Sequence, residues 1–320
     1  MNALYPWLDD IWQHWQRNLQ SDHFTNATLL CAQEGLGVDQ LVKRFSDALM
    51  CSNDKSLACG FCHSCSLMQS SNHPDLHYIV PEKEGKSISV DQIRQCNRQA
   101  QESSQLSGFR LFIIQPAEAM NESAANALLK TLESSASNCL FLLITQRKEQ
   151  LLPTIVSRCQ QWNVKAPSSE VASAWVSDRL KQSVPNYVAH LNDNAPLRLE
   201  AFIKDGHLKS YTQIEDAMLA LAKGQDSFLT LNGHLNDGSQ ERLQWLWLLL
   251  CEAQKAHFEV AEPSLSPVAN ELSKHMSYDL LYQQSLRLSA LMTQLKTFPG
   301  LNYELMISDW LIKFNEEVCL

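Results

Sequence analysis

The chain has 320 residues, 45% of them apolar, enough for two or three domains with cores of their own. A formal net charge of −9 and a pI near 5.6 exclude the overall basic balance of a general nucleic-acid binder. The N-terminus lacks a cationic and apolar secretory signal, and the longest nearly apolar run, Leu243 to Cys251, is too short to cross a bilayer, so a cytoplasmic protein with no membrane partner is expected.

Leu4 to Leu8 opens the chain, and Ile11 to Leu19 reads as an amphipathic helix whose Trp12 and Trp15 face a core. Asn26 to Ala32 reads as a buried strand, Gln33 to Gly37 as a tight turn and Val38 to Cys51 as a helix, the order of a P-loop. The pattern G-x-x-x-x-G-K-[ST] places Ala32 at the first glycine, Gly37 at the second, Val38 at the lysine and Asp39 at the hydroxyl position. Gly35 and Gly37 keep the turn, but Val38 brings no charge to a phosphate and Asp39 repels one. Lys43 is a candidate substitute cation, and a self-sufficient ATPase built on it is a competing reading. It lies more than a helical turn past the loop, which fits a solvated helix face better.

Cys51, Cys59, Cys62 and Cys65 follow with the spacing C-x7-C-x2-C-x2-C. Four thiolates close a tetrahedral zinc shell and leave no position for a reacting water, so a structural zinc is expected, with His63 as a bystander. Both C-x-x-C pairs share Cys62, which suits one metal better than a dithiol switch. Cys31, Cys96, Cys139, Cys159, Cys251 and Cys319 read as small buried apolar residues. A zinc-dependent nucleic-acid module using Lys83, Lys86, Arg94 and Arg98 is the other competing reading, but Glu82, Glu84 and Asp91 interleave with them as on an ordinary solvated surface.

Asp75 to Val80 reads as a strand, 81–87 as a loop, and Ser89 as the N-cap of a helix running to about Ser104. The apolar strand Leu111 to Ile114 ends in Gln115-Pro116, where a Walker B motif would end in Asp-Glu, so neither a Mg²⁺-holding nor a water-activating carboxylate stands at its tip. Asn121 to Glu133 is a strong helix former, ended by 134–138. A strand from Leu140 to Ile144 leads to Thr145, which reads either as the sensor residue of the sheet or as a strand-end hydroxyl, then to Ser157-Arg158-Cys159 and a strand from Gln160 to Val164. Strands alternating with helices to residue 165 predict a parallel α/β sheet. Pro167 to Glu170 reads as a linker, and the short helices 171–180, 184–191 and 197–204 as a small helical lid over 166–207. From 208 to 320 the chain reads all-helical, with helices over 211–222, 239–258, 268–275, 278–297 and 303–315. Trp245, Trp247 and Leu248 to Leu250 make one of these apolar all round, fit for a bundle centre or an oligomer interface.

Tyr5-Pro-Trp-Leu8, the eroded loop Glu34 to Asp39, the four cysteines, His73-Pro-Asp75, Ser89-Val-Asp91, Ala124 to Glu133 and Ser157-Arg158-Cys159 together resemble the delta-prime family of bacterial DNA polymerase III clamp-loader subunits, within the AAA+ group. The resemblance implies an α/β AAA+ domain over 1–165 with a zinc knuckle at 51–65, a lid over 166–207 and an all-α collar domain over 208–320. It further implies a non-ATP-binding, stator-like subunit of a hetero-pentameric ring, without catalysis of its own. Its partners would be the delta and tau/gamma subunits and, indirectly, the sliding clamp and primer-template DNA. Arg158 would act as an arginine finger in trans, a device worth roughly 10³ to 10⁵ in rate in other systems and less in a ring whose other sites carry their own arginines; the competing reading of Arg158 is a salt bridge within its own domain. The family's usual Glu-Glu-Pro-Pro after the helix is Glu133-Ser-Ser-Ala136 here.

Overall fold

Strands made of unbroken Leu, Ile and Phe are stable only where both faces are covered, and in the computed structural model β3 (Arg110–Ile114) and β4 (Cys139–Thr145) are buried at every position. The structure describes the chain apart from residues 1–3, 22–23, 55, 84, 107, 135–137, 226–227, 237–239, 259–265, 299 and 319–320. It divides into two compact units, Met1–Ala166 and Pro167–Leu320.

In chain order the first unit runs α1 (Asp9–Gln20), β1 (Ala27–Cys31), α2 (Val38–Met50), α3 (His63–Gln69), β2 (Leu76–Ile79), α4 (Val90–Ala100), β3, α5 (Glu122–Ser134), β4, α6 (Pro153–Val156) and β5 (Gln160–Asn163). The five strands are parallel in the order β2-β3-β4-β1-β5, with Leu30 opposite Ile144 and Ile114 opposite Leu143. Leu29, Phe112, Ile114, Phe141 and Leu143 share one face with Ile93 and Cys96 of α4 and Ala124 and Leu128 of α5. Trp15 of α1 packs edge-on against Phe45 of α2 and Trp162 of β5. The ends of β1, β3 and β4, with residues 32, 115 and 145, meet at one rim of the sheet, the rim where open α/β sheets place ligands.

Ser89 caps α4 in a reciprocal box: its Oγ accepts from Gln92 N at 3.3 Å while Gln92 Oε1 accepts from Ser89 N at 2.9 Å. The helix stops at Ala100, short of the expected Ser104, because Asp75 captures the chain beyond it. The fully buried Asp75 carboxylate accepts from Gln105 N at 2.9 Å, Leu106 N at 3.1 Å and Arg110 Nε at 3.2 Å. Arg110 is buried too, and also donates to the Gln99 carbonyl and to Glu102.

The second unit contains α7 (Ser169–Leu180), α8 (Asn186–Leu191), α9 (Pro196–Lys204), α10 (His207–Ala222), α11 (Phe228–Asn236), α12 (Gln240–Ala256), α13 (Pro267–His275), α14 (Tyr278–Thr297) and α15 (Tyr303–Val318). One buried cluster extends from Ala172 to Phe314, through both the segment read as a lid and the segment read as a collar. α8 begins after Pro185 rather than at Val184, and α10 begins at His207, four residues before the expected Tyr211, because Gly206 makes the left-handed turn (φ 77°) that starts it. α11 lies where no helix is expected, and Ser239, the expected start of the next helix, lies outside the described residues. α12 is the centre of the bundle, packing on α10, α13 and α14 with Leu243, Trp245, Leu246, Leu249 and Leu250 buried.

Between these helices Ser266, the N-cap of α13, donates its hydroxyl to Glu215 at 2.5 Å and its backbone N–H to Glu252 at 3.1 Å. Both carboxylates are buried, and burial pushes the Glu215 pKa up against the opposing hydrogen bonds from Ser266 and Tyr211. A folded-state pKa raised above the unfolded value gives stability that is present at acid pH and lost as pH rises through the folded value. Glu215→Gln is therefore expected to raise the unfolding midpoint at pH 7, with the gain fading toward pH 4. Equal shifts at the two pH values in thermal melts would refute this.

Candidate functional site

At the rim, Gly35 (φ 83°) and Gly37 (φ 70°) occupy left-handed conformations that side chains rarely adopt, and Gly37 turns the chain into α2. The phosphate-loop turn is thus kept. Its interior is altered: Leu36 is buried, and its carbonyl accepts a 2.8 Å hydrogen bond from Trp7 Nε1, while Tyr5 stacks on the Trp7 ring at 5.0 Å. Val38, at the lysine position, is the first residue of α2. Asp39 follows, and its carboxylate accepts from Gln115 Nε2 at 3.3 Å. The two positions where a metal and its carboxylate would meet are joined to each other by an amide.

Thr145 ends β4 fully buried, its hydroxyl accepting from Arg147 N at 3.1 Å. Lys43 is an exposed residue paired with Asp47 one turn on, at 3.5 Å, and lines a cavity with Asp39 and Gln115. A carboxylate does stand near the rim, at Glu118, where sequence reading placed none of interest. Its Oε1 accepts from Gln146 N at 3.0 Å, tying the β3 loop to the β4 loop.

Arg158 follows α6 at the edge of the same unit. Its Nε and Nη2 both lie 2.5 Å from Glu133 Oε1 at the end of α5, and Nη1 donates to the Thr154 carbonyl at 3.0 Å. The side chains are 34% and 52% exposed. In this chain, then, the guanidinium is engaged within its own domain.

The four predicted cysteines converge, their sulfurs all within 4.8 Å of one another, and Cys59 and Cys65 are 3.9 Å apart. A tetrahedron of sulfurs about zinc has edges of roughly 3.8 Å. Cys51 leaves α2 in an extended conformation, and Cys62 caps α3, its sulfur accepting from Cys65 N at 3.3 Å. Cys51 Sγ accepts from Cys59 N at 3.4 Å, and Cys59 Sγ from Asn53 Nδ2 at 3.5 Å. Such N–H donors suit thiolates: burial opposes ionisation of Cys62, but the amides of Cys65 and Ser52 bring its pKa down to about 6. His63 is outside the converging set. The donor set fits one zinc ion.

Beside it lies a Ser–His pair that spacing did not announce. His73 Nδ1 accepts from Asp75 N at 3.2 Å, so its proton sits on Nε2 and is donated to Ser64 Oγ at 2.6 Å. Ser64 in turn donates to the Met50 carbonyl at 2.6 Å. With the serine proton committed to a carbonyl and the imidazole acting as donor, this is no nucleophile. It fastens α3 to the end of α2, next to Cys51 and Cys65.

A parallel sheet in this order, a glycine turn between β1 and α2 that carries Val38 and Asp39 at the lysine and hydroxyl positions, and a second, helical unit define a protein of the P-loop α/β type. Residues 7–168 match the family model described as DNA polymerase III, delta subunit, and residues 205–316 match the model for the C-terminal part of DNA polymerase III delta. The chain is 31% identical to DNA polymerase III subunit delta' of Haemophilus influenzae, covering 99% of each chain, and 29% identical to that of Escherichia coli K12, covering 97% of this chain and 94% of the other. It belongs to the DNA polymerase III delta' family. Among solved structures it is similar to a DNA polymerase III gamma subunit-related protein of Thermotoga maritima (18% identity, TM-score 0.44, covering 97% of this chain and 99% of the other). It is also similar to the Bacillus subtilis clamp loader delta protein (10% identity, TM-score 0.35, covering 95% and 99%).

Proposed function

We propose that this chain is a clamp-loader subunit that holds no ATP of its own and lends Arg158 to the ATP site of a neighbouring subunit. The observation that carries the reading is the Asp39–Gln115 hydrogen bond, made where a nucleotide-binding subunit needs a hydroxyl, a Mg²⁺ ion and a carboxylate. The Trp7 bond to Leu36 supports it by holding the loop without any phosphate. The ion pair of Lys43 with Asp47 counts against the variant-ATPase reading, because it draws that cation one helical turn past the loop.

In this proposal the chain is one member of a hetero-pentameric ring with delta and tau/gamma subunits, which acts on a sliding clamp and primer-template DNA. The 166–207 segment serves as the lid and 208–320 as the collar that meets the other subunits. Leu229, Leu286, Leu305 and Ile312, each about half exposed or more, support an apolar collar surface. The four cysteines hold structural zinc and leave no position for a reacting water.

The test is Arg158→Ala in the reassembled loader. ATP turnover is expected to fall several-fold while assembly persists, less than the 10³ or more seen where one finger serves one site. Undiminished turnover would refute the trans role. Micromolar ATP binding by the isolated chain would refute the loss of nucleotide chemistry.

A further inference from the structure

In the free chain the edge of Arg158 that would clamp a phosphate is already occupied. Bidentate recognition uses two parallel N–H groups of the guanidinium, and here Nε and Nη2 both address one oxygen of Glu133. The guanidinium can grip a neighbour's γ-phosphate in that way only after this carboxylate has been displaced. Nη1 is held separately by the Thr154 carbonyl, at the first turn of α6, so the guanidinium can exchange one anion for another without leaving its anchor.

From this geometry we infer that Glu133 is a positioning residue that parks the arginine finger and makes its engagement depend on the charge of the neighbouring nucleotide. The inference rests on the trans role of Arg158 proposed above. Exposed ion pairs contribute little, a factor of about five at most in an equilibrium constant, and both side chains here are partly exposed. A doubly charged terminal phosphate outcompetes so weak a holder; a site with no γ-phosphate does not. The finger therefore stays on its own domain until a triphosphate is in place. Glu133 also resists the premature approach of the finger to a diphosphate, where it would only slow product release.

The decisive variant is Glu133→Gln, which removes the competing charge and keeps the side-chain size at an exposed helix end. In the reassembled loader the KM for ATP is expected to fall by up to about fivefold, with kcat changed less than about twofold. Adding Glu133→Gln to Arg158→Ala is expected to change nothing further, since the carboxylate acts only through the arginine. If Arg158→Ala lowers turnover but Glu133→Gln leaves KM unchanged or raises it, the parking role is overturned while the finger stands. A Glu133 that is merely structural would shift the unfolding of the isolated chain and leave KM unmoved, which is also a refutation. If Arg158→Ala has no effect on turnover, the finger itself falls and this inference with it.

Discussion

Replacing Asp75 by alanine is expected to destabilise the α/β unit by about 3–5 kcal/mol, the cost of leaving one member of a buried ion pair without its partner. Asp75 and Arg110 are both buried, so neither can recover its hydration when the other is removed. The carboxylate also satisfies the backbone N–H groups of Gln105 and Leu106, which would be left without their acceptor. Hydrogen-exchange protection should drop first at Gln105 and Leu106, whose N–H groups Asp75 holds. Arg110→Met should cost nearly as much, and the double substitution much less than the sum, because it removes both charges together. Additive losses in urea melts would show that the two groups are not coupled.

Removal of zinc is expected to have the second large effect. As purified, the chain should contain one zinc per molecule, and Cys62→Ser should lose it. An ion present at 1,000 times its dissociation constant stabilises a fold by about 4 kcal/mol, so chelation should lower the melting midpoint of the first unit while leaving that of the helical unit in place. Proteolysis should then cut between Cys51 and Cys65, where the described chain has no regular structure before α3. The sheet has its own core and should survive. A metal-free preparation that melts at the same temperature with and without chelator would rule out a structural ion.

What could be read from the sequence was whatever depends on residue type at a fixed local spacing. A phosphate loop calls for a lysine and a hydroxyl at set places after a turn, so Val38 and Asp39 depart from it by their identity alone. Four cysteines within fifteen residues likewise announce their convergence, and the structure brings their sulfurs together. The strands β3 and β4 are legible because an unbroken apolar run such as Leu111 to Ile114 or Leu140 to Ile144 suits a strand covered on both faces. What was not legible depends on partners distant along the chain. Asp75 reads as the polar start of a strand until Arg110 is seen beside it, and Ser64, His73 and Met50 have no motif in common. α11, with Thr230, Asn232 and Gly233 in its nine residues, has weak helix propensity; it is helical because Leu231 and Leu235 are buried in the bundle. Arg158 stands out within its Ser-Arg-Cys triplet, but its pairing with Glu133, 25 residues away, is visible in the tertiary structure alone.

α2 starts after Gly37 and ends next to Cys51, a rod of 13 residues and roughly 20 Å. In a nucleotide-driven domain the near end of such a rod is free to respond when a phosphate departs. Here the loop at that end is moored by Trp7 to the opening of the chain, and the far end by Ser64 and His73 to the approach to β2. In the stator role proposed above, such moorings would make the domain move as one block, the mechanical property of an anvil rather than of a piston.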